Sequence, residues 1–142
     1  MILDENENKV LYLAAPYSAN DRKTEKKRFK KTCEVAAKLM ANGIAVFSPL
    51  ANSVPAVELG GLKIDHAEFM RFDNIILRRC DELLVLAMDG WRESKGVQDE
   101  INEAIGLRKP VLVVHEEDFN DLPFLKETCN AFGRSKIWNY GK

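Results

Sequence analysis

Cysteine is scarce in this sequence, and nothing suggests that it is paired. Only Cys33, Cys80 and Cys129 occur, widely spaced and odd in number, with no CxxC. That pattern argues against a disulfide framework. With only two histidines, His66 and His115, far apart in the chain, it also argues against a zinc site. Free thiols fit a reducing compartment. An excess of one charge is missing too: 21 Lys and Arg face 22 Asp and Glu, for a net charge of −1. Electrostatic binders of nucleic acid or membrane surfaces rest on such an excess, so neither partner is expected. No apolar run reaches the length of a membrane span. The acidic first eight residues contain no hydrophobic core of a signal peptide. The expectation is a cytoplasmic protein that needs neither a metal nor an organic cofactor.

What is present is ordinary for a globular chain. The sequence has 142 residues, 46% of them hydrophobic and 30% charged. That is the length of one domain, 1–142, and enough to bury a core without covalent staples.

Short apolar runs alternate with amphipathic stretches. Residues 10–15, VLYLAA, form an uninterrupted apolar run ending at Pro16, the pattern of a parallel strand buried on both faces. Asp21 caps a helix that runs to about Asn42 and stops at Gly43. Its apolar positions are read as Phe29, Cys33, Ala36, Ala37 and Met40. Residues 44–47 read as a second strand. Residues 50–64 read as a long loop, with Pro55 and Gly60-Gly61 as breakers. A helix follows over 65–79, a strand over 83–87, a helix over 96–107 and a strand over 110–114. In the tail, 122–131 reads as a helix and 137–138 as a short last strand or an interface patch. Strand–helix alternation predicts an α/β fold with a parallel sheet of four to five strands and right-handed crossovers. The strand order is flavodoxin-like, 2-1-3-4 with room for a fifth. Ligands of such sheets bind past the carboxyl ends of the strands where the order reverses. That rule selects three loops, 15–22, 48–61 and 88–100.

Two carboxylates stand out near those loops. Asp73 falls in the middle of the apolar stripe Phe69, Phe72, Ile76, Leu77, Cys80 of its helix. A carboxyl held against apolar surface keeps its proton to higher pH, the state a general acid needs; otherwise it is a buried Asp capping a neighbouring loop. Glu100 sits in the first turn of the helix after the third strand. It could serve as a nucleophile, as carboxylates do in glycosyl transfer, or, with Asp99, simply complement the helix dipole. Ser94, Gly96 and the amides through Val97 and Gln98 could cradle an anion, with Lys95 adding charge; alternatively Ser94 is a plain N-cap. Arg22, following Tyr17 and Ser18, could reach a phosphate in the same crevice or lie solvated. Tyr17 and Trp91 could stack on a base or serve as packing lids. The basic run Lys23, Lys26, Lys27, Arg28, Lys30, Lys31 reads as a solvated helix face.

Taken in order, the segments YLAAPYS (12–18) and FSP (47–49), then Asp73 with Cys80-Asp81, then Gly96-Val97 and Glu100, resemble the nucleoside 2-deoxyribosyltransferase superfamily, in its small microbial and phage-type members. The resemblance spans about residues 10–114 and lies in the order and spacing of the motifs. It implies a Rossmann-type three-layer sandwich and attack of Glu100 on C1′ of a 2′-deoxynucleoside, with Asp73 assisting departure of the base. Tyr17 would line the sugar or base pocket. The superfamily's members are usually dimers or higher oligomers, which makes Trp138, Asn139 and Tyr140 candidates for a contact that completes a neighbour's site. One position departs from the nucleoside-transferring members. Six residues before the nucleophile they carry an acid that contacts the 5′-hydroxyl, and this chain carries Ser94, as do the related deoxynucleoside 5′-monophosphate N-glycosidases. An acid there would repel a 5′-phosphate, whereas a Ser at a helix N-terminus would welcome one, so this departure tilts the expected substrate from a nucleoside toward a nucleotide and the acceptor toward water. Two further expectations stay open beside it: a ribonucleotide or NAD-type glycohydrolase using the same Glu100, and a non-catalytic nucleotide-binding protein.

Overall fold

The computed structural model describes residues 8–120. A four-stranded, all-parallel sheet forms its centre, with strands β1 (Leu11–Ala14), β2 (Val46–Phe47), β3 (Glu82–Ala87) and β4 (Val111–His115) in the order β2-β1-β3-β4. Helices α1 (Arg22–Ala41), α2 (Pro49–Glu58), α3 (His66–Arg79) and α4 (Lys95–Gly106) connect them, and a 3-10 turn (Glu116–Asn120) follows β4. The expected α/β class and strand order are both present. A fifth strand at 137–138, the helix at 122–131, Cys129 and the contact at Trp138, Asn139 and Tyr140 lie outside the described residues.

Side-chain alternation along the strands builds two cores. Leu11, Leu13, Leu84 and Leu86 point to one face, where they meet Val35, Ala36 and Leu39 of α1 and Phe119 after β4. Tyr12, Ala14, Leu83, Val85 and Ala87 point to the other, against Leu77 of α3 and Val97, Ile101 and Ala104 of α4. A sheet covered on both faces needs strands that are apolar on both sides, which is why the β1 and β3 runs lack polar alternation. The result is the three-layer arrangement of a flavodoxin-like fold.

The helices start where their sequences supply a cap. Asp21, Ser48, Asp65 and Ser94 each accept an N–H from the third residue onward, Thr24 at 2.7 Å, Ala51 at 3.2 Å, Glu68 at 2.8 Å and Val97 at 3.2 Å.

Four local readings need correction. The segment expected to be a loop at 50–64 is largely helix α2. Pro49 occupies its first turn, where no N–H is needed. Pro55 forgoes only one bond inside it, while Pro49 and Val54 anchor the helix by burial. Gly60 and Gly61 stop that helix: a Cβ on Gly60 would approach the Ala56 carbonyl at 2.7 Å, Gly61 has φ +71°, and the Leu62 amide returns to Ala56 O at 3.0 Å. The buried stripe of α1 is Thr32, Val35, Ala36 and Leu39 rather than the stripe ending at Met40, which is 56% exposed. Strand β2 is shorter than 44–47, because the Ile44 amide turns back to Leu39 O at 3.1 Å and closes α1. Strand β3 begins one residue early, at Glu82, which is buried and pairs with Lys9 at 3.4 Å.

Ile101 is fully buried between α4 and the sheet. Ile101→Ala should lower unfolding free energy by about 2–5 kcal/mol, the range for truncating a buried aliphatic side chain. Urea denaturation measures it, and a loss below about 1 kcal/mol would contradict the packing described.

Candidate active site

The order reversal between β1 and β3 opens a crevice at their carboxyl ends, because α1 leaves β1 toward one face and α4 leaves β3 toward the other. A cavity of about 640 Å³ fills it. Its walls come from the loop after β1 (Ala15, Tyr17, Ser18), from Arg22 of α1, from α2 (Leu50, Ser53, Val54, Val57, Glu58), from α3 (His66, Phe69, Met70, Asp73) and from the start of α4 (Glu93 to Gly96, and Glu100).

Glu100 and Asp73 meet in this cavity. Glu100 is 6% exposed, so its side chain reaches the cavity from within the core. Tyr12 of β1 donates its phenolic hydrogen to Glu100 Oε2. Burial pushes the Glu100 carboxyl up to about 8. The Tyr12 hydrogen bond opposes that rise, and the charges of Asp73 and Asp99 add to it. Burial also raises Asp73, to about 6, against the opposing pull of His66 two turns earlier on the same helix. Tyr12 itself is pushed far up, first by burial and then by the Glu100 charge, so it stays a donor. Two neighbouring carboxyls thus titrate apart, an arrangement that suits one acid and one base or nucleophile.

The other residues expected at the site divide. Tyr17, Ser18, Arg22, Ser94 and Gly96 all line the cavity. Trp91 does not: it is 5% exposed and packs in the core with Val85, Ala87 and Val97, with Arg92 stacked on its ring at 4.6 Å. It serves as a packing residue because its backbone turns back at Met88 O, 3.0 Å away, and carries the ring under α4. Val97 is likewise a core residue. Its amide is taken by Ser94 Oγ, and that of Gln98 by Ser94 O at 3.0 Å. Of the expected cradle amides, 96 through 98, only that of Gly96 is left.

Sequence reasoning missed five contributors. Tyr12 looked like one more apolar strand residue, although a Tyr inside a two-faced strand must find a partner for its hydroxyl. Glu58 fell in the supposed loop. His66 and Glu93 were passed over. Arg28, assigned to a solvated face, instead binds the carbonyls of Tyr17 (3.3 Å), Ser18 (2.8 Å) and Asp89 (3.1 Å). It ties together the two loops that leave β1 and β3. Gly90, at φ +89°, lies directly under that guanidinium, where a Cβ would collide with it.

Among the described residues, no group of three or more His, Cys, Asp or Glu is placed to hold a metal ion, and no helix is long and apolar enough to cross a membrane.

Because the native state holds Glu100 and Asp73 protonated at a pH where the unfolded chain has released those protons, their contribution to stability is full below about pH 4. It is lost as pH rises through about 6 and then 8. Tyr12→Phe removes the bond that favours the charged form. The Glu100 carboxyl should then ionise at higher pH, as read by carboxyl 13C chemical shift, and a midpoint that stays or falls would contradict the coupling.

The family model described as "Domain of unknown function (DUF1937)" matches residues 9–116, a span that contains every residue of the cavity. No curated protein matches the chain.

Proposed function

The chain belongs to the DUF1937 family, and we propose that it cleaves or exchanges the N-glycosidic bond of a 2′-deoxynucleoside or its 5′-monophosphate. One observation carries the reading: Glu100 and Asp73 face one cavity from two different helices, and Tyr12 holds the first of them. In the proposed reaction a Glu100 oxygen attacks C1′ of the sugar. The C1′–N bond breaks, its electron pair leaves with the base, and the base takes the Asp73 proton. A glycosyl ester of Glu100 remains. Water, or a second base, then attacks C1′. Glu100 departs as carboxylate and Asp73 recovers the proton.

The proton inventory of the two carboxyls bears on the rate. The reaction needs Glu100 ionised and Asp73 protonated, whereas their values of about 8 and about 6 favour the opposite arrangement. The productive form is thus a minority species, and its share of the enzyme is largest between the two values.

Incubation with deoxynucleosides and deoxynucleoside 5′-monophosphates should release free base, detectable by chromatography. Glu100→Gln should lower kcat by about a thousandfold or more, the scale of losing a nucleophile. Asp73→Asn should lower it by about a hundredfold or more, the scale of losing a general acid. A plot of kcat/KM against pH should be bell-shaped, with limbs near 6 and 8. Below the first both carboxyls carry protons, so Glu100 cannot attack; above the second both are ionised, so Asp73 has no proton to give. Absence of turnover on every substrate, or full activity in Glu100→Gln, sinks the proposal.

A further inference from the structure

Four carboxylates line the cavity: Glu58, Asp73, Glu93 and Glu100. Two permanent cations face them, Arg22 and Lys95, and both are already engaged. Lys95 Nζ lies 2.9 Å from Asp99 Oδ2, and its side chain is 77% exposed. Arg22 is held on three sides. Its Nη1 donates to Tyr17 Oη at 2.6 Å and to Glu25 Oε1 at 3.3 Å, and its Nη2 pairs with Glu58. Glu25 is its neighbour on α1 and does not line the cavity. Glu58 does, and it comes from the last turn of α2, across the rim.

A phosphate brings a charge of about −1.5 to −2 at neutral pH. To take Arg22 as its counterion it must compete with Glu58 and settle among carboxylates. The α4 N-terminus offers partial compensation, yet two of its amides are already bound to Ser94. A sugar hydroxyl meets no such obstacle: it can donate to Glu93 and accept from Ser94 without disturbing the Arg22–Glu58 pair.

We infer that Glu58 is a specificity-determining residue, which withholds Arg22 from a phosphate and so reserves the cavity for ligands whose sugar end is uncharged. The inference rests on the glycosidic reading for the sugar-bearing ligand. Its physical core, the competition between Glu58 and phosphate for Arg22, does not.

Calorimetric titration of the whole protein with a deoxynucleoside, the matching 5′-monophosphate and inorganic phosphate tests it. The wild type should bind the nucleoside more tightly than the monophosphate. Glu58→Gln, which keeps the side-chain length and removes the charge, should raise affinity for both the monophosphate and inorganic phosphate by about tenfold, the worth of one hydrogen bond to a charged group. Nucleoside affinity should change little. Adding Arg22→Ala to Glu58→Gln should abolish the gain. A simple loss of structure would weaken all three ligands together, so the ratio isolates the electrostatic role. Glu58 is a partly exposed surface side chain, and Glu58→Ala provides a second variant for the same ratio. A wild type that prefers the monophosphate, or no phosphate gain in either variant, overturns the inference. If inorganic phosphate gains in Glu58→Gln while neither nucleoside nor monophosphate binds, the latch stands and the glycosidic reading falls.

Discussion

Parallel strands cannot be joined by a tight turn. Each connection must travel from the carboxyl end of one strand back to the amino end of the next, so each begins at the carboxyl edge of the sheet. In this chain the central pair β1 and β3 is parallel, and the connections leaving it go to opposite faces. Nothing can fill the gap between the two departing segments without blocking one of them. The crevice is therefore a consequence of the pairing, and the start of α4 and the loop after β1 are its unavoidable walls. Arg28 shows how the protein keeps those walls in register. A single guanidinium binds carbonyls from both loops, and Gly90 lets it lie against the backbone.

The same geometry makes the carboxylates costly. Glu100 was expected in the first turn of its helix, but α4 starts at Lys95 and its first turn holds no acid; Glu100 lies in the second turn, points inward and is almost wholly buried. Burial disfavours its charge, and Asp73 nearby disfavours it further. A side chain needed only to complement a helix dipole would sit in water, as Asp99 does more nearly. Tyr12 offsets part of the penalty from the opposite side, using the one polar atom that β1 sends into this core. A buried carboxyl with a dedicated phenolic donor is the kind of locally unfavourable arrangement that concentrates at functional sites.

The architecture could be read from the sequence because each layer leaves its own period. Strands β1 and β3 are apolar without alternation, and the capping residues Asp21 and Ser94 mark the starts of α1 and α4. The dyad was readable for a related reason: Asp73 breaks an apolar stripe, and a broken pattern is visible in one dimension. What escaped was whatever depends on three-dimensional neighbours. Phase along α1 was misjudged by about one position, since Met40 and Leu39 are equally apolar and only packing chooses between them. Trp91 was assigned to the mouth because a loop aromatic is ambiguous until its backbone turn is known. Helix α2 was hidden by Pro55 and Gly60-Gly61, residues that usually interrupt helices; here Pro55 sits within the helix at the loss of one bond, and the glycines end it.

That last omission has a functional consequence. Without α2 the crevice would be an open groove bounded by α1, α3 and α4, and Arg22 would face solvent with only Glu25 and Tyr17 beside it. Helix α2 supplies Leu50, Val54 and Val57, which wall the groove into a cavity, and Glu58, which closes on Arg22 across the rim. The groups proposed for bond breaking thus come from elements dictated by the parallel sheet. The group proposed to choose the ligand comes from an insertion between β2 and α3 that the sheet does not require. Such an insertion can change length or charge without disturbing the strand order. In the proposed reading, chemistry and selectivity are therefore separable, and substitutions in α2 are the place where ligand preference would shift while Glu100, Asp73 and Tyr12 remain as they are.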